Sequence, residues 1–232
     1  MIIKKIKNRD GITILTPEEA LEDLKEKGYE EVLVQPLHII PGEEFDYIKG
    51  VTKRHEGDFK SIKVGRPIFY YQGMEELPKD YSLFIESIKE VFENEESIIL
   101  FGHGTAHYGN AVYGMLQTVL EDEDYNNVLV ATVEGYPSVE SCIKRMKKKN
   151  INKTKLVPLL LVAGDHVKND MASDEDDSLK SMLEREGIEV SLHMHGLGEC
   201  DKFGQLYINR IYDLIEGRYL DTGKTKKLRK RK

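Results

Sequence analysis

Tryptophan is absent from this 232-residue chain, and cysteine occurs only twice, at Cys142 and Cys200. Neither cysteine has a partner at metal-ligand spacing, so we expect a reduced compartment and no disulfide. Long apolar runs are also missing, because no stretch approaches the roughly 18 residues that a membrane-spanning helix needs. The first residues, Met1-Ile-Ile-Lys-Lys, lack the apolar core of a signal peptide. These absences predict a cytoplasmic protein without a membrane anchor.

Basic residues are few relative to acidic ones, except at the C-terminus. The net charge is −7, although residues 224–232 hold seven lysines and arginines, so the rest of the chain carries −14. A strongly acidic body argues against nucleic acid as the main partner. We expect the basic tail to be solvated and disordered, although it could touch nucleic acid or an anionic surface. The 40% hydrophobic and 32% charged content is that of an ordinary globular protein.

Hydrophobic patterning predicts strands that alternate with helices. The strands are expected over residues 31–40, 61–70, 97–101, 127–133, 156–163 and 188–194, and the helices over 17–27, 43–55, 81–93, 108–120, 138–149, 174–185 and 203–216. Thr16-Pro-Glu-Glu19 has the pattern of a capping box with proline at the first helical position. The alternation predicts an α/β fold of parallel sheets with right-handed crossovers.

An internal similarity divides the chain into two halves. Residues 35–44 align without a gap with residues 157–166, matching Pro36 to Pro158 and Gly42 to Gly164, with Glu44 in the place of His166. We therefore expect two similar Rossmann-like α/β halves, with helices on both sheet faces, that face one cleft. They are a half at 1–94 and a half at 95–200, followed by a C-terminal helix at 201–220 and the basic tail at 221–232. The same offset indicates that the first half lacks its opening strand, loop and helix.

Three side chains could perform chemistry at the carboxyl ends of consecutive strands. His103 lies in a Gly-His-Gly turn, Glu134 follows the next strand, and His166 follows the apolar run 156–163 after Gly164 and Asp165. Ligands of open α/β sheets bind at this end of the strands, and neighbouring strands lie about 4.8 Å apart. Two imidazoles and a carboxylate are a suitable set for iron, cobalt, nickel or zinc.

Each of these residues also has a purely structural interpretation. The histidine of a Gly-His-Gly turn can serve only as a hydrogen-bonding residue, and Glu134 can stabilise the N-terminus of the helix after Pro137. His107, His193 and His195 are weaker candidates, and we interpret the last two as solvated on one face of an edge strand. The acidic run 174–177 is interpreted as the charged first turn of a helix.

Several longer motifs give the chain a family resemblance. They are Phe101-Gly-His-Gly-Thr, Val133-Glu-Gly-Tyr-Pro137, the Ala163-Gly-Asp-His-Val-Lys-Asn-Asp-Met-Ala172 block, Gly196-Leu-Gly-Glu199 and, in the first half, Leu37-His-Ile-Ile40 with Gly42 and Glu44. With these motifs the chain resembles the anaerobic sirohydrochlorin cobaltochelatases of cobalamin biosynthesis, which are class II chelatases related in fold to ferrochelatases. That family normally begins some 45 residues earlier, so the resemblance and the internal repeat point to the same missing segment.

The resemblance implies a set of roles. His103 and His166 would bind the metal and accept pyrrole protons, Glu134 would be a third metal ligand, and Glu44 would take part in catalysis. The substrate would be sirohydrochlorin and the inserted metal Co²⁺, with Fe²⁺ or Ni²⁺ as alternatives. A non-catalytic carrier of tetrapyrrole or metal also remains open, and so does a homo-oligomeric state. A metallohydrolase has no nucleophile or second metal cluster in the sequence to support it.

Overall fold

A computed structural model describes residues 2–73 and 77–220. In chain order its helices and strands are α1 (Ile2–Asp10), α2 (Pro17–Glu26), β1 (Glu31–Val34), α3 (Glu43–Arg54), β2 (Ser61–Val64), α4 (Asp80–Ile88), β3 (Ile98–Gly102), α5 (Ala111–Asp122), β4 (Val128–Thr132), α6 (Val139–Lys148), β5 (Lys153–Pro158), α7 (Leu179–Arg185), β6 (Glu189–Leu192) and α8 (Asp201–Ile215). The predicted basic tail at 221–232 lies outside the described residues. No helix in these ranges is long and apolar enough to cross a membrane.

The chain forms two compact units. Of the described residues, the first unit comprises those within Met1–Pro36 and Glu44–Arg66 and those from Arg210 on, and the second comprises those within Leu37–Glu43 and Pro67–Asn209. This division follows packing density and differs from the division into halves at residue 94, which stays a prediction.

The second unit is built on a four-stranded parallel sheet in the order β4-β3-β5-β6. Alternate residues of the central strands enter two separate clusters. Ile98 and Leu100 pack with residues of α4, α5 and α8, whereas Ile99 and Phe101 pack with residues of α6 and α7. Both faces of the sheet are therefore buried under helices, which is why its strands are continuously apolar. The predicted α/β class with parallel sheets is confirmed.

The first unit has a smaller parallel sheet of β1 and β2. Its apolar cluster contains Leu21 of α2, Val32 of β1, Val51 of α3 and Phe59. Helix α2 begins with the predicted capping box, since Thr16 Oγ1 accepts the N–H of Glu19 and the Glu19 carboxylate accepts the N–H of Thr16.

The internal repeat is visible in the backbone hydrogen bonds. The carbonyls of His38 and Ile39 accept the N–H groups of residues 68 and 69, and the carbonyls of Leu160 and Leu161 accept those of residues 197 and 198. Both pairs of acceptors are 122 residues apart (160 − 38 and 161 − 39), which is the offset that the sequence alignment gave. The acceptor carbonyls therefore recur at the offset of the sequence repeat, whereas the donor residues are 129 positions apart (197 − 68 and 198 − 69).

Two predictions about the region around His166 were wrong in detail. The strand expected over 156–163 is β5, which begins at Lys153 and ends at Pro158, and Val162 beyond it is 69% exposed. The chain leaves the sheet there because the next carbonyls, of residues 160 and 161, bond to residues 197 and 198 instead. The acidic run 174–177 is not a first helical turn, because α7 begins only after its N-cap Ser178, whose side chain accepts the N–H of Ser181.

Candidate active site

The connections of the four-stranded sheet diverge between β3 and β5. The chain leaves β3 towards β4 on one side and leaves β5 towards β6 on the other. Loops that part in this way open a crevice at the carboxyl ends of the two strands, which is where ligands of open α/β sheets bind. His103 follows β3 directly, and His166 follows the loop after β5.

The loop that carries His103 requires its flanking glycines. Gly104 has a φ of +80°, and a Cβ there would lie 2.6 Å from the backbone nitrogen of Gly135. A Cβ on Gly102 would lie 2.6 Å from the ring of Tyr113. The two glycines thus let the β3 loop pass close to the β4 loop and to α5, and they hold His103 between these contacts.

Polar side chains from α5 and the turn before it brace the same loops. Asn110 Oδ1 accepts the N–H of Thr105, and Asn110 Nδ2 donates to the carbonyl of Tyr136, so one side chain joins the loops after β3 and β4. The hydroxyl of Tyr113 accepts the N–H of Gly104 at 3.3 Å. Burial raises the pKa of Tyr113, so its phenol stays protonated at neutral pH.

His166 stands at the start of a π-helical turn, Val167–Met171. Val167 and Met171 are completely buried and anchor the turn to the core, while His166 remains exposed. The winding of the turn brings Asp170 beneath the imidazole, with Asp170 Oδ2 2.5 Å from His166 Nδ1. Such π turns are frequent at functional sites.

The rings of His103 and His166 are in contact. Their centroids are 4.3 Å apart, and the ring planes are nearly perpendicular at 89°. His103 Nδ1 lies 3.0 Å from the carbonyl oxygen of Gly104, which can only accept, so Nδ1 carries the proton. The Asp170 carboxylate holds Nδ1 of His166 in the same way. With the proton on Nδ1, the neutral form of each imidazole has its lone pair on Nε2, which is the atom that can bind a metal or accept a proton.

Glu134 and Glu44 are the other two predicted site residues. Glu134 is exposed after β4, and its backbone N–H donates to the carbonyl of His103 at 2.8 Å. Glu44 is exposed in the first turn of α3 and belongs to the other unit. Within residues 2–73 and 77–220, no group of three or more His, Cys, Asp or Glu side chains is arranged to hold a metal ion. The two histidines meet as expected, whereas the ligand role of Glu134 and the catalytic role of Glu44 stay predictions.

The three histidines that were weaker candidates for a functional site also have defined surroundings. His107 Nδ1 accepts the N–H of Gly109 and caps a short turn, which is a structural role. His193 and His195 lie just past the end of β6 rather than within it, with ring centroids 5.2 Å apart. Glu199 accepts from His195 Nδ1 at 2.8 Å, and this bond is the main reason that the pKa of Glu199 is lowered. Burial, followed by the charges of His195 and Lys155, lowers the pKa of His193.

The residue that the sequence interpretation missed is Asp170. Asp165 is the acidic neighbour of His166 in the sequence, but the carboxylate that holds the ring is that of Asp170, four residues after the histidine. The spacing of four residues between His166 and Asp170 is the signal that could have revealed this contact, because residues i and i+4 are neighbours on a helical turn. The cysteines take no part: Cys142 is buried, and burial raises the pKa of its thiol to about 12.

Comparison with known folds supports the architecture. The crystal structure of the sirohydrochlorin chelatase SirB from Bacillus subtilis subspecies spizizenii in complex with cobalt superposes with a TM-score of 0.55 at 16% identity, covering 89% of this chain and 78% of that one. SirB from Bacillus subtilis with Fe³⁺ gives a TM-score of 0.55 at 17% identity, covering 90% and 81%. These likenesses establish a fold of the class II chelatase type.

Sequence comparison establishes the family. A sirohydrochlorin cobaltochelatase from Salmonella typhimurium strain LT2 is 32% identical over 218 residues, which is 93% of this chain and 80% of that relative. Sirohydrochlorin cobaltochelatase CbiKC from Nitratidesulfovibrio vulgaris strain Hildenborough is 27% identical over 195 residues, covering 83% and 68%. The family model described as cobalt chelatase (CbiK) matches residues 1–216. This chain therefore belongs to the CbiK family of cobalt chelatases.

Proposed function

We propose that this protein inserts Co²⁺ into sirohydrochlorin, with His103 and His166 as its central catalytic residues. Membership of the cobalt chelatase family supplies the reaction class. The observation that carries the assignment of residues is the contact between the two imidazoles, 4.3 Å apart at the crevice between β3 and β5. Anaerobic cobalamin biosynthesis is the pathway that the family resemblance implies.

The reaction exchanges two pyrrole N–H protons for one divalent cation. It needs a base that is neutral near physiological pH, and it needs ligands that release the ion once the macrocycle has bound it. Neutral imidazoles meet both requirements, since one Nε2 lone pair can bind the cation or accept a proton. The two protons leave the pyrrole nitrogens for His103 and His166 and then pass to water, while the metal–nitrogen bonds form to the macrocycle.

The spacing of the two rings suits a shared cation. A metal bound to an imidazole nitrogen at about 2.0–2.1 Å lies about 3.2 Å from the ring centroid. Two imidazoles in adjacent positions of an octahedral ion then have centroids about 4.5 Å apart, by the same geometry. The observed 4.3 Å is close to this value. Glu134 supplies a third ligand in this proposal, and Glu44 keeps the catalytic role that the family resemblance implies.

Exposed apolar groups surround the same edge of the sheet. Tyr108, Tyr136 and Val162 belong to the loops after β3, β4 and β5, and they are 77%, 60% and 69% exposed. Several exposed apolar side chains at one edge of a sheet are a feature of ligand-binding surfaces. We assign them to contact with the flat faces of the tetrapyrrole. Lys168, exposed two residues after His166, is assigned to a peripheral carboxylate of the substrate.

The metal is assigned to Co²⁺ on the family name alone, because imidazole ligands also accept Fe²⁺ and Ni²⁺. The solved SirB structures carry cobalt in one case and Fe³⁺ in the other. Parallel assays with Co²⁺, Fe²⁺ and Ni²⁺ at equal free concentration would rank the three ions. A preference of tenfold or more for Fe²⁺ or Ni²⁺ would overturn the assignment to cobalt.

The deciding experiment is an anaerobic absorbance assay of Co²⁺ insertion into sirohydrochlorin. We expect multiple turnovers by the parent chain and loss of turnover in His103→Ala and in His166→Ala, with an unchanged circular dichroism spectrum. His55→Ala is the matched control, because His55 lies in the first unit and bonds to Asp58. Near-normal turnover in both site variants would refute the assignment. Stoichiometric binding without turnover by the folded parent would favour a carrier instead.

A further inference from the structure

A second pair of histidines lies in the same unit, after the edge strand β6. We infer that His193 and His195 form a separate binding site for a divalent transition-metal ion, with Glu199 as the residue that orients His195. The site would bind one ion through two imidazole nitrogens and complete its coordination with water. It concerns different residues from the proposed active site and does not depend on the proposed function.

The backbone places both rings on one side of the chain. His193 still donates its N–H to the carbonyl of Leu156, one residue beyond the last paired residue of β6. Side chains two residues apart in an extended segment point the same way. His193 and His195 do so here, with centroids 5.2 Å apart and ring planes at 57°.

This distance matches that of two imidazoles on one tetrahedral ion. With each centroid about 3.2 Å from the metal, a tetrahedral angle at the metal separates the centroids by about 5.2 Å. The observed separation is 5.2 Å. The separation of the two rings is therefore compatible with one tetrahedral ion bound to both.

Glu199 fixes the ring of His195 in the state that a metal ligand needs. Its Oε2 lies 2.8 Å from His195 Nδ1, and its Oε1 accepts the backbone N–H of Gly196 at 2.9 Å. The carboxylate is thus tied to the turn and holds the Nδ1 proton, which leaves the lone pair on Nε2. A carboxylate on the second nitrogen is the usual companion of a metal-binding histidine. His166 and Asp170 show the same arrangement at the same spacing of four residues.

The turn that follows the pair packs closely against residues 161–163. A Cβ on Gly196 would lie 2.6 Å from the carbonyl oxygen of Leu161, and one on Gly198 would lie 2.8 Å from the same atom. This close approach of the backbone to residues 161–163 fixes the position of Glu199. A structural role explains the pair less well, because the side chains of His195 and Glu199 are 65% and 59% exposed, and exposed pairs add little to stability.

The test uses Co²⁺ alone and the full chain. In a His103→Ala/His166→Ala background, calorimetric titration under anaerobic conditions should show one remaining equivalent of bound Co²⁺. Adding His193→Ala or His195→Ala should weaken it at least tenfold, and adding Glu199→Gln should weaken it severalfold. Adding His55→Ala should leave it unchanged, because that histidine lies in the first unit.

Nuclear magnetic resonance of the His103→Ala/His166→Ala chain, which lacks the ligands of the proposed active site, gives a second readout. Paramagnetic Co²⁺ should broaden the ring protons of His193 and His195 and leave those of His55 sharp. Absence of any Co²⁺ binding in the double variant would overturn the inference, and so would binding that survives both His193→Ala and His195→Ala. Failure of the proposed function would appear elsewhere, as near-normal turnover in both the His103→Ala and the His166→Ala variants.

Discussion

Asp170 holds His166 from one helical turn away, with Oδ2 of the carboxylate 2.5 Å from Nδ1 of the ring. The π turn between them is anchored by two buried side chains, Val167 and Met171. The core therefore fixes the carboxylate, and the carboxylate fixes the imidazole. In the proposed mechanism Asp170 is a positioning residue, because its carboxylate contacts His166 and would act on the reaction only through that ring.

We predict that Asp170→Asn lowers the rate of metal insertion about 10–100-fold, because an amide can hold the ring in the wrong tautomer. The measurement is kcat in the anaerobic insertion assay, together with ¹⁵N chemical shifts that report which nitrogen of His166 carries the proton. Asp165→Asn is the control, because Asp165 is an exposed neighbour of the same histidine. Equal rates in the two variants would show that the Asp170 contact is dispensable.

The substitution Glu134→Gln tests whether Glu134 is the third metal ligand of the proposed site. The substitution removes a charge but keeps the shape and the backbone bond to His103. We expect the KM for Co²⁺ to rise about tenfold, with a smaller change in kcat at saturating metal, because a carboxylate contributes mainly to holding the cation. Glu123→Gln, an exposed residue at the end of α5, is the matched control. An unchanged KM would remove Glu134 from the ligand set.

Gly104→Ala should damage both the fold and the site. The backbone is left-handed at φ +80°, and the added Cβ would lie 2.6 Å from the nitrogen of Gly135. We expect a loss of about 1–3 kcal/mol in the free energy of unfolding. Gly114→Ala within α5 has open space around its Cβ and should instead stabilise by about 0.5–1 kcal/mol. Urea unfolding measures both, and equal midpoints would contradict the prediction.

Lys168→Ala tests the assignment of a substrate carboxylate. Because an exposed ion pair contributes about 0.2–1 kcal/mol, we expect the KM for sirohydrochlorin to rise about 1.5- to fivefold at unchanged kcat. The effect should shrink as salt is added, because salt screens exposed charges. Lys148→Ala, in the last turn of α6, is the control, since that helix ends away from the carboxyl edge of the sheet. Identical KM values for sirohydrochlorin in the parent and in Lys168→Ala would refute the contact between Lys168 and a substrate carboxylate.

Stability of the first unit should depend on a buried ion pair. Arg66 and Asp213 lie 2.6 Å apart with side-chain exposures of 9% and 11%, and the Arg66 guanidinium also covers the ring of Tyr219. Asp213→Ala leaves a buried charge without its carboxylate and should cost about 3–5 kcal/mol in urea unfolding. Arg218→Ala removes a half-exposed partner of the same carboxylate and should cost less than about 1 kcal/mol.

The sequence by itself determined the alternation of strands and helices, the parallel sheets, the 122-residue repeat and the placement of His103 and His166 after strand ends. These properties follow from local patterns. Burial on both faces makes strands continuously apolar, and a left-handed turn against a neighbouring loop demands glycine at position 104. The sequence therefore locates the edge of the sheet at which the chemistry is expected.

Tertiary structure alone decided how the side chains at that edge pair. The end of β5 at Pro158 depends on hydrogen bonds to residues almost 40 positions away, which no local pattern records. The choice of Asp170 over Asp165 depends on the winding of a π turn around two buried anchors. The pairing of His193, His195 and Glu199 likewise arises because the chain leaves β6 extended and then turns tightly against residues 161–163. Side-chain partnerships of this kind are set by packing, and packing is a property of the folded chain.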